Sequence, residues 1–405
     1  MSYKKKILII SQGYWPEHFP INELVNVIHK DNKFEVSVLT GYPNYPEGKI
    51  YRGYEKNYLK KLYDKHLSGY NIFRVPVFRR KKNSKISIIF NYLSFIVMGI
   101  IFSPFLLKGK KFDYILVFAN SPVPQAFVGI FLKYLKKSKL ILWVQDLWPD
   151  ILKETGYVKN NLILKIINFF INIIYFFSDL ILTQSKSFKR EIRKKVNKKI
   201  IYFPNPSIDM SKKVKLKKRN SKDFKILYAG NIGQAQNFEK IIEIAKNLQR
   251  KKIIFQIIGN GNKYTWLKNK IKKEKIKNIN LLNNIEFKKI PSYYANADCL
   301  LLTLKNDKFL NMTIPSKFQN YLSARKPILS ICGGETKKII KENKCGINIQ
   351  DMNLKKMSDK ISIFSKLKKK TLNNMSRRGY KFFKTNFEIN MSKKNFYKIL
   401  KYEKI

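Results

Sequence analysis

The chain reads as an α/β protein of two doubly wound, Rossmann-like domains facing one cleft. Three observations predict this. Two stretches roughly 220 residues apart open alike, with a basic tip, a short apolar strand, a polar glycine-containing loop and a helix: residues 4–10 run into 11–22, and 225–228 into 229–237, the sequence AGNIGQAQN. Such strand–loop–helix turns hold phosphates and nucleotides at the carboxyl ends of parallel strands. The length of 405 residues exceeds what one hydrophobic core usually supports and suits about two domains. Both halves then alternate short apolar runs with helical patterns in the βαβ manner.

In the first half, strand 4–10 leads to a helix near 21–29, and strand 34–39 ends at Thr40-Gly41. Residues 42–66 are rich in Tyr, Pro and Gly, and such length suggests a substrate-facing lid rather than a connector. Strand 114–118 ends at Asn120-Ser121-Pro122 and strand 140–144 at Gln145-Asp146; strands 180–183 and 199–203 complete the sheet. After Pro204-Asn205-Pro206, residues 211–223 are Lys, Arg, Asn and Ser with almost no apolar side chain, a linker by composition. The domain limits expected are 1–208, a linker 209–224, a second domain 225–385, and a terminal segment 386–405 whose helix, near 389–402, packs back on the first domain. Strands 225–228, 253–258, 280–282, 298–304 and 327–331 build the second sheet.

The 82 basic residues outweigh 27 acidic ones, for a net charge of +55. Lys, Asn, Ile, Phe and Tyr abound everywhere, so compositional drift accounts for most of the excess, and an anionic partner surface for the rest. Aromatic residues are not interleaved with the basic runs in any nucleic-acid-binding pattern, so no nucleic acid is expected. Cys299, Cys332 and Cys345 lack paired spacing and the three histidines are scattered through the first 66 residues, which argues against structural disulfides, zinc or another metal site. The N-terminus passes directly into a strand, without a cleavable signal.

Residues 86–107, ISIIFNYLSFIVMGIIFSPFLL, carry no charge, and basic clusters flank them within 79–111. That length could cross a bilayer. A crossing would put strands of one sheet on opposite sides, so the preferred reading is a helix, bent near Pro104, that dips into one leaflet while its lysines engage anionic headgroups. A helix buried on the sheet is the alternative. Residues 162–182 are also apolar, but Lys165 and Asp179 interrupt them, and they read as a core helix followed by a strand.

The segment TIPSKFQNYLSARKP, 313–327, follows a strand and a polar loop. Pro315 suits a first helical turn, and the free N–H groups around Pro315, Ser316 and Lys317 present a partial positive charge of roughly half a unit. With Lys317 beside it, this end suits a diphosphate.

Taken together, GYWPEHFPINEL at 13–24, VLTGYPNYPEG at 38–48, LWVQDLWPD at 142–150, AGNIGQAQN at 229–237 and IPSKFQNYLSARKPI at 314–328 resemble family 4 glycosyltransferases, in particular the L-fucosamine-type (N-acetyl-L-fucosamine) transferases of O-antigen and capsule synthesis. The resemblance spans nearly the whole chain. It implies a GT-B fold, a nucleotide-sugar donor held mainly by the second domain, an acceptor held by the first, and retention of configuration without a metal ion or other cofactor. No two acidic residues are separated by one position, so the DxD metal clamp of the other large glycosyltransferase fold is absent.

Residue by residue, the resemblance places Gly230 and Asn231 near the donor phosphates; many members carry Arg where Asn231 stands, so Lys317 would supply the charge. The family's paired glutamates fall on Met312 and Asn320, of which Asn320 could bond the ribose. Asp146 occupies the place of the second residue of a His-Asp pair and would orient the acceptor hydroxyl or the donor sugar, though it could equally be the N-cap of the next helix. Glu17 and Asn22, after the first strand, Asn205 at the hinge, and Gly259 and Gly261 match positions lining the donor. The function implied is transfer of an N-acetylated deoxyhexose or hexosamine, with UDP the expected carrier, to a polyprenyl-diphosphate-linked saccharide at the cytoplasmic face of the inner membrane, the enzyme being peripheral or monotopic. A GT-B nucleotide-sugar 2-epimerase and a non-catalytic scaffold of a polysaccharide-assembly complex are the rivals.

Overall fold

The computed structural model describes residues 4–45, 48, 51, 53–54, 62–81, 84–154, 156–213 and 223–402. The chain divides into two compact units, residues 1–206 with 392–405 and residues 207–391. Each contains one sheet.

In the first unit the elements are β1 (Lys5–Ile10), α1 (Pro20–Lys30), β2 (Phe34–Gly41), β3 (Tyr63–Lys65), β4 (Asn71–Val75), α2 (Lys85–Leu106), β5 (Tyr114–Ala119), α3 (Ala126–Lys136), β6 (Lys139–Val144), α4 (Asp150–Glu154), α5 (Asn161–Phe177), β7 (Leu180–Thr183), α6 (Lys186–Arg193) and β8 (Ile200–Tyr202). The sheet order is β3-β4-β2-β1-β5-β6-β7-β8, with only β3 antiparallel. β5 and β7 are buried along their whole length and β1 and β6 nearly so, as the continuous apolar runs of a parallel sheet covered on both faces require. Because β2 lies on one side of β1 and β5 on the other, strand order reverses at β1. The carboxyl ends of β1 and β5 therefore flank a crevice.

In this unit two of the described strands escape the sequence reading, as does the short strand Gly346–Asn348 of the other. β4, NIFRV, is short and carries Arg74, which is completely buried: its guanidinium donates to Gly41 O, Trp15 O and Tyr54 Oη and faces Asp64 at 3.7 Å. A strand with a buried cation is tolerated because carbonyls and a carboxylate surround it. β3 falls inside the expected lid; within 42–66, residues 46–47, 49–50, 52 and 55–61 lie outside those described.

The charge-free helix is α2, with Ser84 accepting from Ser87 N at its start and an unbroken course through Pro104. It is neither fully buried nor free of the sheet. Asn91, Phe95 and Ser103 are buried, and Gly99 packs so tightly on α3 that a Cβ there would lie 2.7 Å from Val128 Cγ2. The opposite face leaves Ile86, Ile89, Phe90, Leu93, Val97, Ile101 and Phe105 between 50% and 76% exposed. α5, expected to be core, also departs from expectation. It buries Leu164, Ile171, Ile174 and Tyr175, whereas Leu162, Ile163, Ile166, Phe169, Phe170 and Phe176 are 44–66% exposed. Its ring contacts with the neighbouring helix come from α3, through Phe127–Phe170 and Tyr134–Phe177, so only one stripe of α5 finds a partner.

The second unit contains β9 (Phe224–Ala229), α7 (Phe238–Asn247), β10 (Ile253–Ile258), α8 (Tyr264–Lys273), β11 (Ile279–Leu282), α9 (Ile290–Ala295), β12 (Cys299–Thr303), α10 (Ser316–Ser323), β13 (Ile328–Ile331), α11 (Gly334–Asn343), β14 (Gly346–Asn348), α12 (Leu354–Ser365) and α13 (Lys369–Asn386). The sheet is wholly parallel in the order β11-β10-β9-β12-β13-β14, with its switch point between β9 and β12. This is the order of a dinucleotide-binding sheet. Residues 207–213 belong to this unit: Ser207 N donates to Phe387 O, Met210 N to Ser323 Oγ, and Asp209 accepts from Tyr380 Oη. The second unit thus begins earlier than residue 225. Residues 214–222 of the low-apolar segment lie outside those described. The last helix, α14 (Ile389–Tyr402), packs with the first unit from Ser392 onward, Tyr397 stacking on Phe34 and Lys393 pairing with Asp31 at 2.8 Å.

Candidate functional site

The switch point of the second unit is built by side chains reaching from α10. β9 and β12 pair only at Ile226–Cys299 and Leu227–Leu300, then splay. Tyr321, fully buried on α10, fills the gap by accepting from Ala229 N at 3.0 Å and donating to Ala229 O at 3.3 Å, replacing the missing strand partner. One turn earlier on the same face stands Lys317. Its ammonium bonds the Tyr228 hydroxyl and lies 4.3 Å from that ring's centroid, while Tyr228 Oη donates to Asn231 O. The lysine runs under Gly230, where a Cβ would come within 2.2 Å of Lys317 Cε. Burial, the dominant influence, pulls the Lys317 pKa down from 10.5 to about 7. Among the described residues no carboxylate pairs with it.

Pro315 is the N-cap of α10 rather than part of its first turn, extended at ψ 139°, and no side chain caps the helix. Ser316 is exposed in the first turn. Uncapped N–H groups beside a poorly solvated lysine are what a diphosphate would satisfy. Asn320 is engaged through one atom, its Oδ1 accepting from Ser207 Oγ at 2.6 Å. Asn231 is exposed in the loop after β9. Gly259 and Gly261 have a packing reason, because a Cβ on either would meet the backbone of that loop, at 1.9 Å from Gly230 O and 2.4 Å from Ile232 O, and both have φ near +150°. Gly230 N and Ile232 N bond Ile258 O and Asn260 O, so the two glycine-bearing loops are knitted into one platform.

In the first unit the sequence-predicted residues gather at strand carboxyl ends. Asp146 follows β6, and its Oδ2 accepts from Ser121 N at 3.1 Å and Ser121 Oγ at 2.8 Å, which fixes it to the turn after β5 rather than to a helix start. Burial raises its pKa and the two Ser121 bonds counter this. Trp148 Nε1 donates to the same hydroxyl, at 3.2 Å. Asn205 Nδ2 donates to Gln145 Oε1 at 2.7 Å, so Asn205 is tied to the residue before Asp146. Among the described residues Gln12, after β1, accepts nothing at its buried Oε1, but its N–H donates to Gln125 Oε1 and its Nε2 to Asn91 on α2. Arg80 Nε bonds the same Asn91, and its guanidinium lies over the rings of Tyr45 and Tyr92. Gln12, Gln125, Asn91 and Ser121 had no motif to mark them.

Glu17 and Asn22 organise the loop after β1. Asn22 sits in the first turn of α1, and its Nδ2 donates to Glu17 O at 2.6 Å. Glu17 Oε1 accepts from Asn44 N at 2.7 Å and Tyr45 N at 2.6 Å, pinning the chain after β2. Burial raises the Glu17 pKa from 4.5 to about 7, against the lowering effect of those two bonds. Between these values the folded chain keeps a proton that the unfolded chain has lost, so this group's contribution is full below about 4.5 and declines as pH rises to about 7. Glu17→Gln keeps an acceptor oxygen for both N–H groups and removes the titration. Urea unfolding at pH 5 and pH 7.5 should show the native chain losing on the order of 3 kcal/mol more than the variant. Equal losses would show that Glu17 titrates normally.

Residues 209–382 match the family described as glycosyl transferases group 1. Over 341 residues, 78% of this chain and 81% of the relative, the chain is 25% identical to WcaI of Escherichia coli (strain K12), named as a colanic acid biosynthesis glycosyl transferase. The fold resembles that of sucrose-phosphate synthase from Thermosynechococcus elongatus, with a TM-score of 0.72 at 11% identity over 98% of both chains. It also resembles Anabaena HepE in complex with UDP and glucose, with a TM-score of 0.64 at 13% identity over 98% of this chain and 99% of the other.

Proposed function

We propose that this chain is a GT-B glycosyltransferase of group 1, and that it moves an N-acetylated deoxyhexose or hexosamine, of the L-fucosamine type, from a UDP-linked donor to a polyprenyl-diphosphate-linked saccharide, with retention and without a metal ion. Polysaccharide assembly, O-antigen or capsule, would be its setting. The observation that carries the reading is Lys317, half-buried beside the uncapped start of α10 and against Gly230, with only the Tyr228 hydroxyl for a partner among the hydrogen bonds described. A departing diphosphate would restore its charge, and bonds that strengthen as charge develops are the ones that accelerate a reaction. Gly230, Asn231, Ser316 and Lys317 would hold the phosphates. Asn320, engaged by Ser207, would reach the ribose through its amide nitrogen. In the first unit Asp146, oriented by Ser121, would align the acceptor hydroxyl. The UDP assignment draws support from the UDP in HepE.

The exposed face of α2 within 79–111 would dock the enzyme, as a peripheral or monotopic protein, on the anionic cytoplasmic surface of the inner membrane, where a polyprenyl carrier resides. A thermal-shift comparison of UDP, GDP, CMP and dTDP, each with and without EDTA, tests the donor class and the metal independence together. UDP alone should raise Tm by several degrees, unchanged by EDTA. Stabilisation that EDTA abolishes would overturn the metal-free mechanism, and no response to any nucleotide would remove the donor site.

A further inference from the structure

We infer that α2, α3 and α5 form one continuous apolar face that seats in the headgroup–acyl boundary of an anionic bilayer, with α5 inserting as deeply as α2. The inference rests on the membrane-docking reading of α2 and adds a second anchor to it. α3 lies between the other two, joined to α2 at Gly99–Val128 and to α5 through Phe127–Phe170, Tyr134–Phe177 and Lys133 Nζ donating to Phe177 O at 2.9 Å. The exposed residues recur at helical spacing on both outer helices: Ile89, Leu93, Val97 and Ile101 on α2, and Leu162, Ile166, Phe169 and Phe176 on α5. Tyr134 and Leu135, 60% and 48% exposed, continue the face across α3. An apolar surface of this extent on three adjoining helices is not ordinary protein surface.

Charge selects the occupant. No acidic residue occurs anywhere in α2, α3 or α5. The neighbouring carboxylates are already paired, Asp179 with Lys133 at 2.8 Å and Asp150 with Lys195 at 3.8 Å. Lys108, Lys111, Lys137 and Lys165 are exposed at the ends and edge of the layer. Apolar side chains bordered by exposed lysines match acyl chains below phosphates. α2 spans about 33 Å if straight, yet one of its faces is built into the unit, so it lies along the bilayer plane rather than through it.

Full-length protein should bind vesicles of phosphatidylglycerol and phosphatidylcholine at least about tenfold more tightly than vesicles of phosphatidylcholine alone. The variant Phe169→Trp should be quenched by brominated lipid acyl chains in the anionic vesicles. Ile166→Glu with Phe169→Glu, at exposed positions on α5, should weaken vesicle binding about tenfold or more while leaving Tm and nucleotide-induced stabilisation unchanged. Leu93→Glu with Val97→Glu on α2 should do the same. If only the α2 pair weakens binding and Phe169→Trp is unquenched, α5 is no anchor and this inference fails while the docking of α2 stands. If neither pair has an effect, the docking reading itself falls. If the α5 pair instead converts a dimer to a monomer in sedimentation without changing vesicle binding, a second copy covers the face and the inference is overturned.

Discussion

Replacing Lys317 by alanine should lower kcat/KM by about 100-fold or more while the protein stays folded. The lysine makes its hydrogen bond to Tyr228, and its loss leaves the β9–α10 contact held by the two Tyr321 bonds to Ala229. Its pKa, lowered from 10.5 to about 7 by burial, gives a second readout. Between those values the unfolded chain binds a proton that the folded chain lacks, so native stability rises with pH from about 7 to about 10.5, by up to several kcal/mol. Lys317→Ala should flatten that rise. Binding of UDP should draw a proton onto the amine, so calorimetry above pH 7 in buffers of different ionisation enthalpy should report net uptake in the native protein and none in the variant. Unchanged kcat and KM would take Lys317 out of the site, whatever the proton balance.

Asp146→Asn should reduce kcat by about 100-fold with KM for the nucleotide sugar nearly unchanged. Asparagine can turn its oxygen to the two Ser121 donors that now meet Oδ2, so the turn after β5 keeps its bonds and only the charge is lost. On the proposed assignment of the donor to the second unit, UDP stabilisation should be the same in both proteins. If kcat does not change, Asp146 is no more than the anchor of the Ser121 turn. A fall in both kcat and nucleotide affinity would mean that the carboxylate acts through the donor rather than on the acceptor hydroxyl.

The strands were legible because a doubly covered parallel sheet demands unbroken apolar runs, and KKILII, YILVFA, LILT and IIFQII say so without their neighbours. The start of α10 at Pro315-Ser316-Lys317 was legible for the same reason, since a proline before a helix is a local signal. Where a side chain's meaning depends on what stands opposite, the sequence fell silent. Arg74 looks like a solvent residue until Tyr54, Asp64 and two carbonyls close around it. Asn22 and Asn320 read as ligand-facing, and one polar atom of each is also engaged within its own unit, Asn22 Nδ2 by Glu17 O and Asn320 Oδ1 by Ser207 Oγ. Gly259 and Gly261 match donor-lining positions, and the structure adds a packing reason for them that the sequence does not show, the close approach of the Gly230 loop. α5 shows the limit most plainly. A largely apolar helix is core if covered and an interface if not, and the ring contacts described for α5 reach α3 along one stripe while Leu162, Ile163, Ile166, Phe169 and Phe176 stay exposed. Periodicity and local propensity thus determined the two-sheet α/β architecture. Tertiary packing decided which polar groups are already satisfied and which apolar ones are left open, because both depend on partners distant in the chain.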